Sequence, residues 1–409
     1  MLVLISCLFP PFERFERYLD LMSKKLHSIS LIALRHCVSM LSMLLLLAFL
    51  PSLVLAEPEE MWLINANRAH YQRAEPVEAL DALDYLYSEA AEGSTWTLET
   101  SDATTFEEKV LSVQSIPTVV VIPGNRNPQS EVVKKLPFLI SFFNKIYGEQ
   151  KYRLITWVWP SAKIPGRPLL DYRVKLARVP RQAKLFAAWL EWFGPEANLL
   201  IVGHSYGAKV AADGVAIHTT SNAGTNGTPI VPIEIPLDIP LKTDVPSDTE
   251  VDGAEEVAAE RMGTEGMSTE EVAMEEVTIL PPRGPRSLKL ALIAMADVRG
   301  AIRKTRFGDE NSAVEKILLT KNTQDCSLKL FSLVSPNSAG AVGYGGISSA
   351  DLPRMANVLD VTNQVHRSHD FGSYIKSSSL VKGIRKMVRD GDPAPVKKEV
   401  PAQSDSTLE

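Results

Sequence analysis

Leu199-Leu200-Ile201-Val202-Gly203-His204-Ser205-Tyr206-Gly207, followed by Ala208-Lys209-Val210-Ala211-Ala212, is the stretch on which the fold turns. Its first four residues form a continuous apolar run of strand length, the pattern of a strand covered on both faces. Its last five suit a helix. Between them stands G-x-S-x-G. Three fixed residues at about 7% each recur by chance in roughly one chain in ten of this length, so the pentapeptide alone decides little. The setting decides more: strand, sharp turn and helix follow one another without a gap. In so tight a turn, side chains at positions 203 and 207 would collide with neighbouring backbone. The turn lifts the Ser205 hydroxyl above the sheet, at a helix N-terminus that favours negative charge. An ordinary Gly-Ser-Gly turn is the competing reading.

On either side the chain alternates short β-rich runs with longer helical stretches. That alternation predicts a mostly parallel α/β sheet of eight strands with helices on both faces. The strands are read at residues 61–65 (MWLIN), 96–99, 118–122 (TVVVI), 154–159, 199–202, 290–296 (LALIAMA), 316–320 (KILLT) and 358–361. Helices are expected at 132–147, at 181–193 behind Pro180, at 205–217 and within 371–388. Trp157, Trp159 and Tyr206 read either as plain core or as the lining of an apolar pocket.

A serine hydroxyl is a poor nucleophile until a base takes its proton. Past the first 56 residues the histidines are His70, His204, His218, His366 and His369. A strand–elbow–helix nucleophile is followed in the chain by its acid and then by its histidine, the latter after the final strand. Only His366 and His369 lie there, and His369, just ahead of a helix-compatible stretch, is preferred. His204 sits inside the elbow and is expected to point away from the site. The orienting carboxylate belongs after the penultimate strand. Asp325 follows residues 316–320 and is preferred, although it also reads as a helix N-cap. Asp297, at the end of residues 290–296, is the alternative. Oxyanion donors are expected from the Tyr206 N–H and, in the Pro123-Gly124-Asn125-Arg126-Asn127 loop after the third strand, from the Asn125 N–H.

The order of strand, PGNRN, helix, strand, WPS, helix, strand, GHSYG, helix, then Asp and His, resembles the α/β-hydrolase superfamily. More narrowly, it is similar to uncharacterised bacterial hydrolase-like proteins with a Trp-Pro-Ser motif after the fourth strand. Here the motif is Trp159-Pro160-Ser161, followed at the matching spacing by Asp171-Tyr172-Arg173. The resemblance covers residues 61–380 apart from one long insertion. It implies an α/β-hydrolase fold with Ser205 as nucleophile, Asp325 as acid and His369 as base. Pro123 departs from it, since many members place His before the glycine.

The remaining segments read differently. Residues 1–56 read as a signal peptide: Lys24, Lys25, His27 and Arg35 precede the apolar run 40–50, and Val54-Leu55-Ala56 offers a cleavage site before Glu57. Glu13, Glu16 and Asp20 fit an n-region poorly and point to Met22 as the true start. Because no Asp, Glu, Lys or Arg occurs from 36 to 56, an uncleaved anchor is the alternative, and with it a peripheral or N-terminal membrane association. The chain is thus expected to be exported, periplasmic or secreted. Residues 57–218 and 287–388 form the expected α/β domain. Residues 219–286 are Pro-rich and then acidic, with eleven acids against Arg261 alone between 248 and 276, and read as a disordered insertion. A lid is the other reading of that segment. Residues 389–409 read as a disordered tail.

The net charge is −6 and no basic stripe with interleaved aromatics occurs, so no nucleic-acid partner is expected. Cys7, Cys37 and Cys326 offer no CxxC, no metal site is expected, and no cofactor is implied. The function expected is a serine hydrolase acting on a small-molecule acyl substrate, an ester, thioester or amide, through an acyl-enzyme. A catalytically silent envelope binding protein of the same fold is the alternative.

Overall fold

The computed structural model describes residues 58–72, 74–89, 96–222, 284–285, 287–297, 302, 307, 313–334, 341–345, 347 and 352–389, besides Asp20, Leu21, His36, Ser39 and Met40. The signal-peptide boundary at 56, most of the 219–286 insertion and the tail from 390 lie outside the described residues. Contacts separate Met1–Leu55 from the body, Ala56–Glu409. Among the described residues no helix is long and apolar enough to cross a membrane.

The body is a mixed α/β structure around one nine-stranded, mostly parallel sheet. Its strands are β1 (Glu60–Asn65), β2 (Asp84–Glu89), β3 (Glu99–Ser101), β4 (Thr118–Ile122), β5 (Arg153–Val158), β6 (Asn198–His204), β7 (Ser287–Ile293), β8 (Val314–Lys321) and β9 (Ala356–Asp360), in the order β3-β2-β1-β5-β4-β6-β7-β8-β9. Among the described residues only the β1–β2 and β2–β3 pairings are antiparallel. In the centre every residue of β4 and β5 is buried. Side chains alternate across a strand, so burial at every position means that both faces are covered.

The main helices are α1 (Gln129–Tyr147), α2 (Pro168–Leu190), α3 (Tyr206–Asn222), α4 (Cys326–Val334), α5 (Phe371–Ile375) and α6 (Ser378–Arg389). From β4 the chain crosses to β5 on one side, and from β6 it crosses to β7 on the other. Right-handed crossovers in opposite directions put α1 and α3 on opposite faces. Their loops part above the neighbouring ends of β4 and β6, which opens a crevice there.

Five expectations are corrected. The sheet has nine strands rather than eight, because residues 84–89 (DYLYSE), whose ends are acidic, pair with β1 as an antiparallel edge hairpin. The strand expected at 96–99 begins only at Glu99. β7 ends at Ile293, three residues before the apolar run does, since Ala294 takes φ 49° and turns the chain out of the ladder. α2 starts at Pro168, not after Pro180, which lies inside the helix. A prolyl ring can start a helix, and at a cost it can also be carried within one. α3 runs on to Asn222, past the expected end at 217.

Candidate active site

β6 delivers Ser205 into the crevice with φ 55°, a left-handed backbone that a non-glycine residue adopts only when its surroundings hold it there. Those surroundings are close. A Cβ on Gly203 would sit 2.4 Å from Ala208 Cα, and one on Gly207 would sit 2.2 Å from the Ile122 carbonyl oxygen. Both glycines are therefore required by backbone contact. Below the turn, the Ser205 N–H donates to the Ile293 carbonyl at 2.9 Å.

His369, just before α5, turns its Nε2 to Ser205 Oγ at 2.9 Å and its Nδ1 to Asp325 Oδ2 at 2.7 Å. Asp325 is fully buried at the start of α4 and uses both oxygens. Oδ1 accepts the Ser327 and Leu328 N–H groups at 3.0 and 3.1 Å, while Oδ2 faces His369. The helix-capping contacts and the His369 contact thus use two edges of one carboxylate. His366 is exposed, and the site uses only its carbonyl, which accepts from the Asn322 side chain at 2.8 Å. Asp297 is buried, with Lys209 Nζ at 2.9 Å from its Oδ2, and does not join His369.

Two residues that sequence reasoning passed over complete this edge. The Tyr374 hydroxyl donates to Asp325 Oδ2 at 2.8 Å, and the Asn322 amide reaches the Tyr374 oxygen at 3.2 Å. Burial, then the neighbouring Asp325 charge, raises the Tyr374 phenol above its usual range, so it keeps the proton it donates. A tyrosine five residues after a histidine carries no sequence signal for this role. His204 also departs from expectation. Its ring does not point away but packs 5.2 Å from the His369 ring and 5.0 Å from Phe371. Burial, followed by the His369 charge, holds His204 well below the usual histidine range.

The 123–127 loop lies against the elbow: a Cβ on Gly124 would be 2.9 Å from Ser205 Cβ. Among the described residues no other hydrogen bond engages the N–H of Asn125 or of Tyr206. The Trp-Pro-Ser motif braces this loop from the neighbouring strand. Trp159 Nε1 donates to the Pro123 carbonyl at 2.7 Å, Ser161 Oγ donates to the Asn127 carbonyl at 3.0 Å, and the Arg126 N–H donates to the Ser161 carbonyl at 2.7 Å. Asp171, fully buried, accepts from the Asn125 side chain at 3.2 Å, Arg126 Nε at 2.8 Å and the Ile164 N–H at 3.0 Å. Burial alone would raise this carboxyl, but the Arg126, Ile164 and Asn125 donors outweigh it and hold it below its usual range. Trp157 packs on Phe186 and Trp189 and is core, and the Tyr206 ring lies between Tyr172 and Phe331.

Chemically, the arrangement offers a hydroxyl with a base in hydrogen-bond reach, a carboxylate behind the base, and, on the adjoining residues, the N–H groups of Asn125 and Tyr206. No protein-family model matches the chain. No curated protein matches it either. Among solved structures it is similar to a chain described as a C4-C4 SN3 tributyrin phosphonate inhibited by esterase B from Lactobacillus rhamnosis. That likeness has 11% identity over 82% of this chain and 86% of the other, with a TM-score of 0.29. A likeness at that level carries no argument about function.

Proposed function

We propose that the chain is a serine hydrolase of the α/β-hydrolase superfamily, cleaving an ester, thioester or amide through an acyl-enzyme. One observation carries the reading: the continuous line from Ser205 Oγ to His369 to Asp325, at 2.9 and 2.7 Å, on a positive-φ elbow. His369 Nε2 takes the Ser205 proton as Oγ attacks the substrate carbonyl carbon. Charge developing on the carbonyl oxygen is met by the Asn125 and Tyr206 N–H groups. On collapse of the tetrahedral species the bond to the leaving group breaks, and His369 returns the proton to that group. Water, activated by the same imidazole, then attacks the acyl-Ser205 carbonyl and frees the acid. Asp325 holds the imidazole's Nδ1 proton and so sets the tautomer that leaves Nε2 free to accept.

A fluorophosphonate probe tests this directly. Labelling at Ser205, lost in Ser205→Ala and in His369→Ala, is expected, together with turnover of short p-nitrophenyl esters. The two substitutions should cost turnover to a similar degree, because such residues act as a unit. A folded chain that neither labels nor turns over esters overturns the reading in favour of a silent binding protein.

A further inference from the structure

Beside the candidate oxyanion loop, positive charge is concentrated in a chain whose net charge is −6. From Pro160 to Arg178 the sequence carries Lys163, Arg167, Arg173, Lys175 and Arg178, and Asp171 is its one acid. Arg126, directly after Asn125, adds a sixth cation. Asp171 faces Arg126 Nε at 2.8 Å and the fully buried Lys175 Nζ at 3.6 Å, so one carboxylate answers two cations. Burial, then the Arg178 charge, lowers Lys175 from its usual range, against the opposing pull of Asp171.

The Arg126 guanidinium is fixed but incompletely used. Nε is tied to Asp171, and the group lies 5.3 Å over the Tyr172 ring. Among the described residues neither Nη makes a hydrogen bond, and the side chain remains 37% exposed. Tyr172 in turn lies 6.3 Å from the Tyr206 ring, which adjoins Ser205. A guanidinium cannot discharge its proton, and its planar fork matches an oxyanion at two points. Held at Nε and across one face, it loses little freedom on binding a partner with its outer edge.

We propose that Arg126 is a specificity residue whose free edge binds a carboxylate on the substrate, so that the preferred substrates are anionic esters such as half-esters of dicarboxylic acids. This rests on the hydrolase reading above, and the test separates the two. Turnover of neutral p-nitrophenyl valerate is compared with that of the p-nitrophenyl half-ester of glutaric acid, in wild type, Arg126→Gln and Arg126→Lys. Wild type should favour the half-ester in kcat/KM. Arg126→Gln should lose about 10- to 100-fold more on the half-ester than on the valerate, chiefly through KM, as expected for one lost charge-assisted pair. Arg126→Lys should fall between, because it keeps the charge without the fork. Equal losses on both esters, or a wild-type preference for valerate, overturn the inference and leave the hydrolase reading standing. A second readout needs no turnover: glutarate should raise the melting temperature of wild type and not of Arg126→Gln. The absence of any shift in wild type also overturns the inference.

Discussion

Asp325 shows how much one side chain can be asked to do. Its Oδ1 caps α4 through two backbone N–H groups, and its Oδ2 receives both His369 and Tyr374. Asp325→Asn puts an amide where one of these partners needs an acceptor, so on the proposed hydrolase reading kcat on p-nitrophenyl esters should fall by about 10⁴-fold while the helix cap is largely kept. Tyr374→Phe removes a single donor from the same oxygen. We expect kcat to drop several-fold at nearly constant KM, with a stability loss of about 1 kcal/mol, measured by steady-state kinetics and denaturant unfolding. His204 yields a prediction in pH. The folded protein holds its ring neutral well below the usual range, whereas the unfolded chain takes up a proton near pH 6.5. Stability from this residue is therefore complete above about 6.5 and drains as pH falls below it. The melting temperature should decline from pH 7 to pH 5 more steeply in wild type than in His204→Phe.

At the scale of elements, the site exists because two strand ends and one brace meet. β6 brings the elbow and β4 brings the 123–127 loop. Trp159 and Ser161 at the end of β5 hold that loop to its neighbour. Gly207 sets the approach of α3 to β4, since a Cβ there would press on the Ile122 and Pro123 carbonyls at 2.2 and 2.5 Å. Those are backbone atoms and cannot swing aside. Gly207→Ala should cost about 1–3 kcal/mol of stability and also lower kcat, by moving the Tyr206 N–H away from the Asn125 N–H. Chemical denaturation and p-nitrophenyl ester turnover would check both effects. Full activity in a variant of wild-type stability would show that the contact is not limiting.

Across the whole molecule the order of strands does what no single element can. Opposite crossovers from β4 and β6 open the crevice, and β8 and β9 extend the sheet so that the segments after them bring Asp325 and His369 back over β6. Ser205 and His369 are 164 residues apart in the chain yet in hydrogen-bond contact. Between α3 and β7 the chain carries the acidic, Pro-rich stretch from 219 to 286. Its composition offers little apolar surface to bury, and closure entropy grows slowly with loop length. Replacing residues 223–283 with a short Gly/Ser linker should therefore change unfolding free energy by no more than about 1–2 kcal/mol. Loss of cooperative unfolding in that variant would show that the stretch packs on the body.

The local geometry was legible in the residues themselves. GHSYG announced its turn because only glycine fits where Cβ atoms would meet backbone, and TVVVI and LLIV announced central strands because both faces of each are buried. Element edges were less legible. Pro180 reads as a helix start yet lies inside α2, and residues 84–89 join the sheet only because β1 offers them an edge. Which histidine turns toward Ser205 was left as a preference by spacing. Position in the fold settles the geometry: His366 is exposed at the end of a short turn, while His369 stands over the serine. Tyr374 and Asn322 had no sequence signature, and Asp171, noted only within Asp171-Tyr172-Arg173, gave no sign of the support it lends to Asn125 and Arg126. Each contact is a hydrogen bond between side chains 45 to 52 residues apart. A contact of that range depends on how the strands are ordered. Steric demands within one turn are written in neighbouring residues, but partnership across a sheet arises only when the chain has folded.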